Sequence, residues 1–292
     1  MLELRLLGQF NLRLDNRPID LPSRPAQSLL AYLALKPGTP YRRERLAGLL
    51  WPDATEVNAR SYLRQALWRI RKALEPGKRD YFIADDLTIA FDADADYWLD
   101  VTVLEQAVSA DTPIDEILRG IEVYHGELLP GFYDEWVEPE RERLQAIYEH
   151  ALSLLLDRSV AEGRWPAVME WAERWIAVGH VPEPAYRTLM LAHSATGDRA
   201  SMAAAYQRCV EALRRELDVE PSEVTRALYG QLSHSEPVTA NRAPLEVKPP
   251  ATNNLPRQLT TFVGREQEIA EVTHLLQTTT SRLVTRPDRG LR

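Results

Sequence analysis

The chain has 292 residues, 45% of them hydrophobic and 27% charged, and its formal net charge at neutral pH is −8. Such a composition excludes wholesale disorder, and the length predicts about two domains. No apolar run approaches the ~18–20 residues of a membrane span, and Met1-Leu2-Glu3-Leu4-Arg5 lacks the layout of a signal peptide. Cys209 is the only cysteine, which excludes an internal disulfide and any zinc site needing two thiolates and fits a reducing cytoplasm.

The elements follow in chain order. Leu2, Leu4 and Leu6, then Phe10, Leu12 and Leu14, alternate as half-buried strands do. Asp15-Asn16 marks a turn, and 18–21 reads as a third strand. Ser23-Arg24-Pro25 opens a helix, with Ser as N-cap and Pro in the first turn, and Pro37-Gly38 closes it. A short helix spans about 43–50 and stops at Trp51-Pro52. A longer one runs from Thr55 to Leu74, where Leu63, Leu67, Ile70 and Leu74 form one apolar stripe. Residues 81–91 read as a β-hairpin turning at Asp85-Asp86. From Asp96 to about Leu232 the pattern is helical. Within it, Ala161-Glu-Gly163-Arg-Trp165 recurs as Ala195-Thr-Gly197-Asp-Arg199, and Leu155/Leu189 and Val168/Met202 keep the same offset. That offset is the period of tetratricopeptide (TPR) helix pairs. Glu138, Glu140 and Glu142 with Arg141 and Arg143 read as a solvated helix start. Residues 234–256 form a polar, Pro-rich linker.

Charge is unevenly distributed. Residues 36–79 hold eleven Lys/Arg against four Asp/Glu, whereas 96–292 hold twenty against thirty-one. One basic segment on an acidic chain points to a nucleic-acid surface, the alternative being a solvated face. Its centre is the helix 55–74. Opposite the apolar stripe project Asn58, Ser61, Gln65, Trp68, Arg69 and Lys72, flanked by Arg60, Arg64 and Arg71. Arg and Lys neutralise phosphates, while Gln, Asn and Arg read base edges in the major groove. The preceding helix supplies a helix-turn-helix frame, with Arg42 and Arg43 at its N-terminus, where backbone N–H groups also favour phosphate. Trp68 alone fits a domain interface as well as a DNA contact.

Residues 1–95 resemble the OmpR-type winged helix of bacterial SARP regulators. The resemblance lies in Leu6-Leu-Gly-Gln-Phe10, Leu29-Leu-Ala-Tyr-Leu-Ala34, Leu46-Ala-Gly-Leu-Leu-Trp51-Pro52 and the helix that follows. Residues 96–233 resemble the activator domain that follows it in such regulators, through Tyr124-x-Gly126-Glu-Leu-Leu-Pro130-Gly131, Trp136-Val-x-x-Glu140-Arg-Glu-Arg143-Leu144, Gly163-Arg-Trp165 and Glu216-Leu-Asp-Val-Glu-Pro221. Residues 257–292 resemble the opening of a STAND-type ATPase module. No G-x-x-x-x-G-K-[ST] phosphate loop occurs, so no nucleotide cofactor and no ATP hydrolysis are expected. The tail is read as stopping one strand into that module, by a frameshift or early end of the gene or as the vestigial tail of a short regulator.

The resemblance implies a mainly α protein with a small β component: an OmpR-like winged helix-turn-helix followed by an all-α TPR-like domain. It implies a cytoplasmic, nucleoid-associated transcriptional activator that binds double-stranded DNA. Protomers would sit side by side on direct repeats, as a possible homodimer, and contact RNA polymerase. The rival reading is a TPR-type adaptor whose winged helix is structural or binds protein. Two departures from the family pattern carry expectations. The acidic hairpin tip, Asp85-Asp86, is expected to be repelled by minor-groove phosphates. Arg42 replaces the usual Ser or Thr cap, at a cost of about 0.5–2 kcal/mol that a phosphate contact would offset. No catalytic set is evident. The six histidines are scattered, and His193 and Cys209 fall on different helices without a third partner, so Cys209 reads as a core residue.

Overall fold

The computed structural model describes residues 1–77, 79–109 and 111–234; the linker beyond His234 and the ATPase-like tail lie outside these. The chain begins with β1 (Leu2–Arg5), β2 (Asn11–Leu14) and β3 (Arg17–Pro18). β1 and β2 pair antiparallel with Leu2 opposite Leu14 and Leu4 opposite Leu12, so the alternating leucines share one buried face. The turn between β2 and β3 places Asp15 and Asn16 at positive φ, as hairpin turns require. The third strand is Arg17–Pro18 rather than 18–21; beyond it one further backbone bond, Ile19 N–H to Leu12 O (2.8 Å), continues toward β2 before the chain turns into α1.

Three helices follow: α1 (Arg24–Ala34), α2 (Arg43–Leu50) and α3 (Glu56–Leu74). Ser23 holds the N-cap position of α1, but its side chain makes no capping bond. Its carbonyl accepts from Ala26 and Gln27 N–H, and Gln27 Nε2 donates to Leu21 O at 2.7 Å. Before α2 lies a two-residue strand, β4 (Tyr41–Arg42), that periodicity cannot reveal at that length. It pairs with β6 (Thr88–Phe91), the second arm of the hairpin begun by β5 (Phe82–Ala84). This three-stranded β4-β6-β5 sheet is the wing.

Tyr97–Leu99, which the sequence places in the helical region, is a strand. This β7 runs parallel to β1, with Leu2 opposite Tyr97 and Leu4 opposite Leu99, and completes a β3-β2-β1-β7 sheet. Strand formation here is dictated by the open edge of β1, since β-structure depends on its neighbours more than on intrinsic preference.

The helices α4 (Asp100–Gln106), α5 (Ile114–Glu122), α6 (Val137–Ala161), α7 (Trp165–Val178), α8 (Glu183–Ala195), α9 (Arg199–Leu217) and α10 (Glu223–His234) follow. The 34-residue offset is visible as two stacked hairpins. Gly163 ends α6 and Gly197 ends α8, both at positive φ (66° and 80°), the left-handed conformation that suits glycine after a helix. Leu155 and Leu189, and Val168 and Met202, are buried at equivalent points. Where α4 meets α5, a Cβ built on Gly120 would lie 2.2 Å from Ala107 Cβ. Gly120→Ala is therefore expected to push the two helices apart at a cost of about 1–3 kcal/mol, read as a lower thermal midpoint.

One cluster of buried side chains runs from Leu2 to Ala205, through the sheet, α1 and α6. Asp100, 2% exposed at the start of α4, is its principal polar tie. Its Oδ2 accepts from Leu6 N–H (2.7 Å) and Leu7 N–H (2.8 Å), and its Oδ1 from Val101 N–H. Leu7 also bridges to Leu128, and Trp136 Nε1 donates to Ser28 Oγ in α1 at 3.3 Å. Gly8 and Gly126 face each other closely; a Cβ on Gly126 would sit 3.6 Å from Gly8 Cα. Arg141 is not on a solvated face. Its guanidinium donates to the carbonyls of Leu128, Leu129 and Phe132 and fixes the Pro130-Gly131 loop against α6. The charge-rich pattern conceals this because loop carbonyls leave no trace in the sequence.

Candidate nucleic-acid interface

The interface is built on α3. Thr55 is its N-cap residue, Glu56 lies in the first turn, and Arg71 and Lys72 lie in the last, the charge order that suits a helix dipole. Ala59, Leu63, Ala66, Leu67, Ile70 and Leu74 are buried. α2 stops where Trp51 N–H bonds Ala47 O, and the Trp51 ring meets Tyr62 of α3 at 6.1 Å. These contacts fix the helix-turn-helix angle.

All nine α3 residues predicted from sequence are exposed: Asn58, Arg60, Ser61, Arg64, Gln65, Trp68, Arg69, Arg71 and Lys72. They are not equivalent. Arg60 Nη2 is held by Glu44 Oε1 (2.8 Å) and Glu56 Oε1 (2.5 Å), and Arg71 pairs with Asp80 at 2.8 Å. The Lys72 ammonium lies over the Trp68 ring, 4.9 Å from its centroid. Among the described residues, no carboxylate lies within ion-pair distance of Arg64 or Arg69. These two guanidinium groups flank Gln65, and the three present a charged, hydrogen-bonding surface.

Arg42 and Arg43 separate in role. Arg42 is exposed at the β4–α2 junction. Arg43 turns to the wing: its N–H donates to Leu87 O (2.9 Å) and its Nε to Asp85 O (2.8 Å). The Asp85 carboxylate is folded into the tip as well. Oδ1 accepts from Leu87 N–H (2.8 Å) and Thr88 N–H (2.6 Å). Those two backbone donors hold its pKa below the usual aspartate value. The tip thus shows outward not only Asp86 but Leu87 and Ile83, exposed by 75% and 62%. Arg79, beside the start of β5, lines a cleft with Trp68, Arg71 and Lys72. The sequence reading did not single it out, although it belongs to the same basic run.

His193 and Cys209 lie on α8 and α9, as expected. Cys209 is fully buried, and desolvation pushes its thiol pKa up to about 11, so it is held as a thiol rather than a nucleophilic thiolate. Among the described residues there is no cluster of three metal-ligating side chains, and no helix is long and apolar enough to cross a membrane.

Residues 101–233 match the family described as Bacterial transcriptional activator domain. The Regulatory protein AfsR of Streptomyces coelicolor is 24% identical, over 94% of this chain and 29% of that protein. The chain therefore spans less than a third of the length of that curated relative. In fold it is similar to Mycobacterium tuberculosis EmbR, solved in complex with a low-affinity phosphopeptide. The TM-score is 0.69 at 20% identity, covering 81% of this chain and 66% of EmbR. An OmpR-like winged helix joined to a TPR-like helical domain that matches the activator-domain family over residues 101–233 makes the chain similar to SARP-type transcriptional regulators.

Proposed function

We propose that the protein is a sequence-specific DNA-binding activator acting in the cytoplasm on nucleoid DNA. In this reading α3 enters the major groove, with residues 1–95 as the DNA-binding part. Residues 96–233 arrange protomers side by side on direct repeats and offer a surface to RNA polymerase. The observation that carries it is the outward face of α3, where Arg64, Gln65 and Arg69 are exposed and the two guanidinium groups lack carboxylate partners among the described residues. A merely structural helix would gain nothing from leaving them unpaired beside Arg60, which is paired twice. Arg43 holds the wing against α2 through its Nε and, keeping its charge, meets a phosphate at the start of α2.

The test is selection and sequencing of random duplex DNA with purified protein at about 0.15 M salt, where non-specific binding is weak, with Kd of order 10⁻⁴–10⁻⁶ M. The expected result is an enriched direct repeat whose spacing gives the protomer separation. Folded protein that enriches nothing would turn the reading toward a protein-binding adaptor.

A further inference from the structure

Trp68 stands out in the C-terminal half of α3. Its indole is 58% exposed among polar and cationic side chains, while the other exposed apolar residues of the helix, Val57 and Tyr62, lie nearer its N-terminus. It lies in the outward row Ser61, Gln65, Trp68, Lys72, at the spacing of one helix face. Open clefts flank it on both sides. One, of about 580 Å³, is walled by Asp20–Ser23 and Arg69. The other, of about 530 Å³, is walled by Arg71, Arg79 and β5. Lys72 borders both clefts.

We propose that Trp68 is a thymine-reading residue, its exposed ring edge packing on the 5-methyl group of a thymine in the major groove. The inference rests on α3 being the DNA-binding helix. Thymine is the base that presents a methyl group there, and an apolar side chain is the partner that reads it. The two clefts beside Trp68 carry four basic residues, Arg69, Arg71, Lys72 and Arg79, against three acidic ones, Asp20, Glu75 and Asp80, a cationic balance that suits a polyanion. When a helix lies in the major groove the two sugar–phosphate strands pass on either side of it, where Arg69 in one cleft and Arg79 in the other would meet them. Lys72, stacked on the ring, keeps the indole from rotating away and brings its own charge toward a phosphate.

The experiment uses the full chain and the operator obtained by selection, with each thymine replaced in turn by deoxyuridine. That change removes only the methyl group and leaves base pairing intact. The wild type is expected to lose about fourfold in affinity at one position per half-site, the effect of one buried methyl. Trp68→Ala should bind the thymine operator several-fold more weakly and bind thymine and uracil operators alike. Trp68→Phe should keep part of the discrimination, and Lys72→Gln should weaken both operators equally. An enriched operator with no uracil-sensitive position overturns the role of Trp68, as does sensitivity that survives in Trp68→Ala. Unchanged operator affinity in Trp68→Ala would overturn it too, and mark the indole as a protein contact. Failure to enrich any sequence removes the DNA reading of α3 itself, which separates the two failures.

Discussion

Asp100→Ala is expected to lower the stability of the folded unit by about 3–5 kcal/mol. The carboxylate accepts three backbone N–H bonds in a buried site, and alanine would leave the donors of Leu6, Leu7 and Val101 without partners. At about 2–4 °C per kcal/mol for a unit of this size, the thermal midpoint should fall by roughly 10 °C. Asp100→Asn should cost less, because one amide oxygen can still accept from Leu6 and Leu7.

The two variants also differ from wild type in their pH dependence. Burial outweighs the three N–H bonds and raises the Asp100 pKa above its ordinary value. Folded protein thus holds that proton more tightly than unfolded chain does. The stability Asp100 contributes through protonation is full below the unfolded aspartate pKa and is lost as pH rises through the folded one. Glu173, paired with Arg208, and Asp198, capping α9, are shifted down and act in the opposite sense. Their contribution is present above the unfolded carboxylate range and lost as pH falls through their lowered values. The stability deficit of Asp100→Asn should therefore widen on acidification. Denaturant midpoints measured from pH 7 to pH 4 test this, and a deficit that narrows instead would contradict the buried, proton-retaining state.

Arg64→Ala is expected to weaken specific operator binding by about 5- to 150-fold, the range of one good base or phosphate contact. Arg60→Ala should change it only a few-fold at most. The contrast follows from the ion pairs. Arg60 is neutralised by Glu44 and Glu56 before DNA arrives, whereas Arg64 has no carboxylate neighbour among the described residues. Anisotropy titrations on selected and scrambled duplexes across a salt series distinguish the roles. A residue that reads bases loses specific affinity alone, and one that meets phosphate also reduces the salt slope. Equal losses for Arg60→Ala and Arg64→Ala would show that the two acidic partners release Arg60 on binding.

Much of the fold was legible from local pattern. The Leu2-Leu4-Leu6 alternation, the stripe Leu63-Leu67-Ile70-Leu74 and the Trp51-Pro52 stop placed β1, α2 and α3 close to where they occur. The 34-residue offset located the helix pairs because the glycine closing each first helix needs positive φ, a demand made by local backbone. β4 and β7 were not legible. They hold two and three residues, and each exists because a partner strand, β6 or β1, offers an open edge.

The candidate site shows the same division. Sequence by itself determined which side chains face outward on α3, since helical periodicity and burial of the apolar stripe leave no choice. It also determined that a basic helix sits on an acidic chain. Tertiary structure decided which of those side chains are free. Arg60 is paired with Glu44 of α2 and Arg71 with Asp80 beyond the end of α3, while at the start of α2 the Arg43 Nε leans on the wing. It likewise turned Asp85 into the wing tip and made Arg141 and Asp100 internal ties. The physical reason is range. Periodicity reports the field around one helix, whereas ion pairs and buried hydrogen bonds join residues brought together only when α2, α3 and the wing, or β1 and α4, have packed.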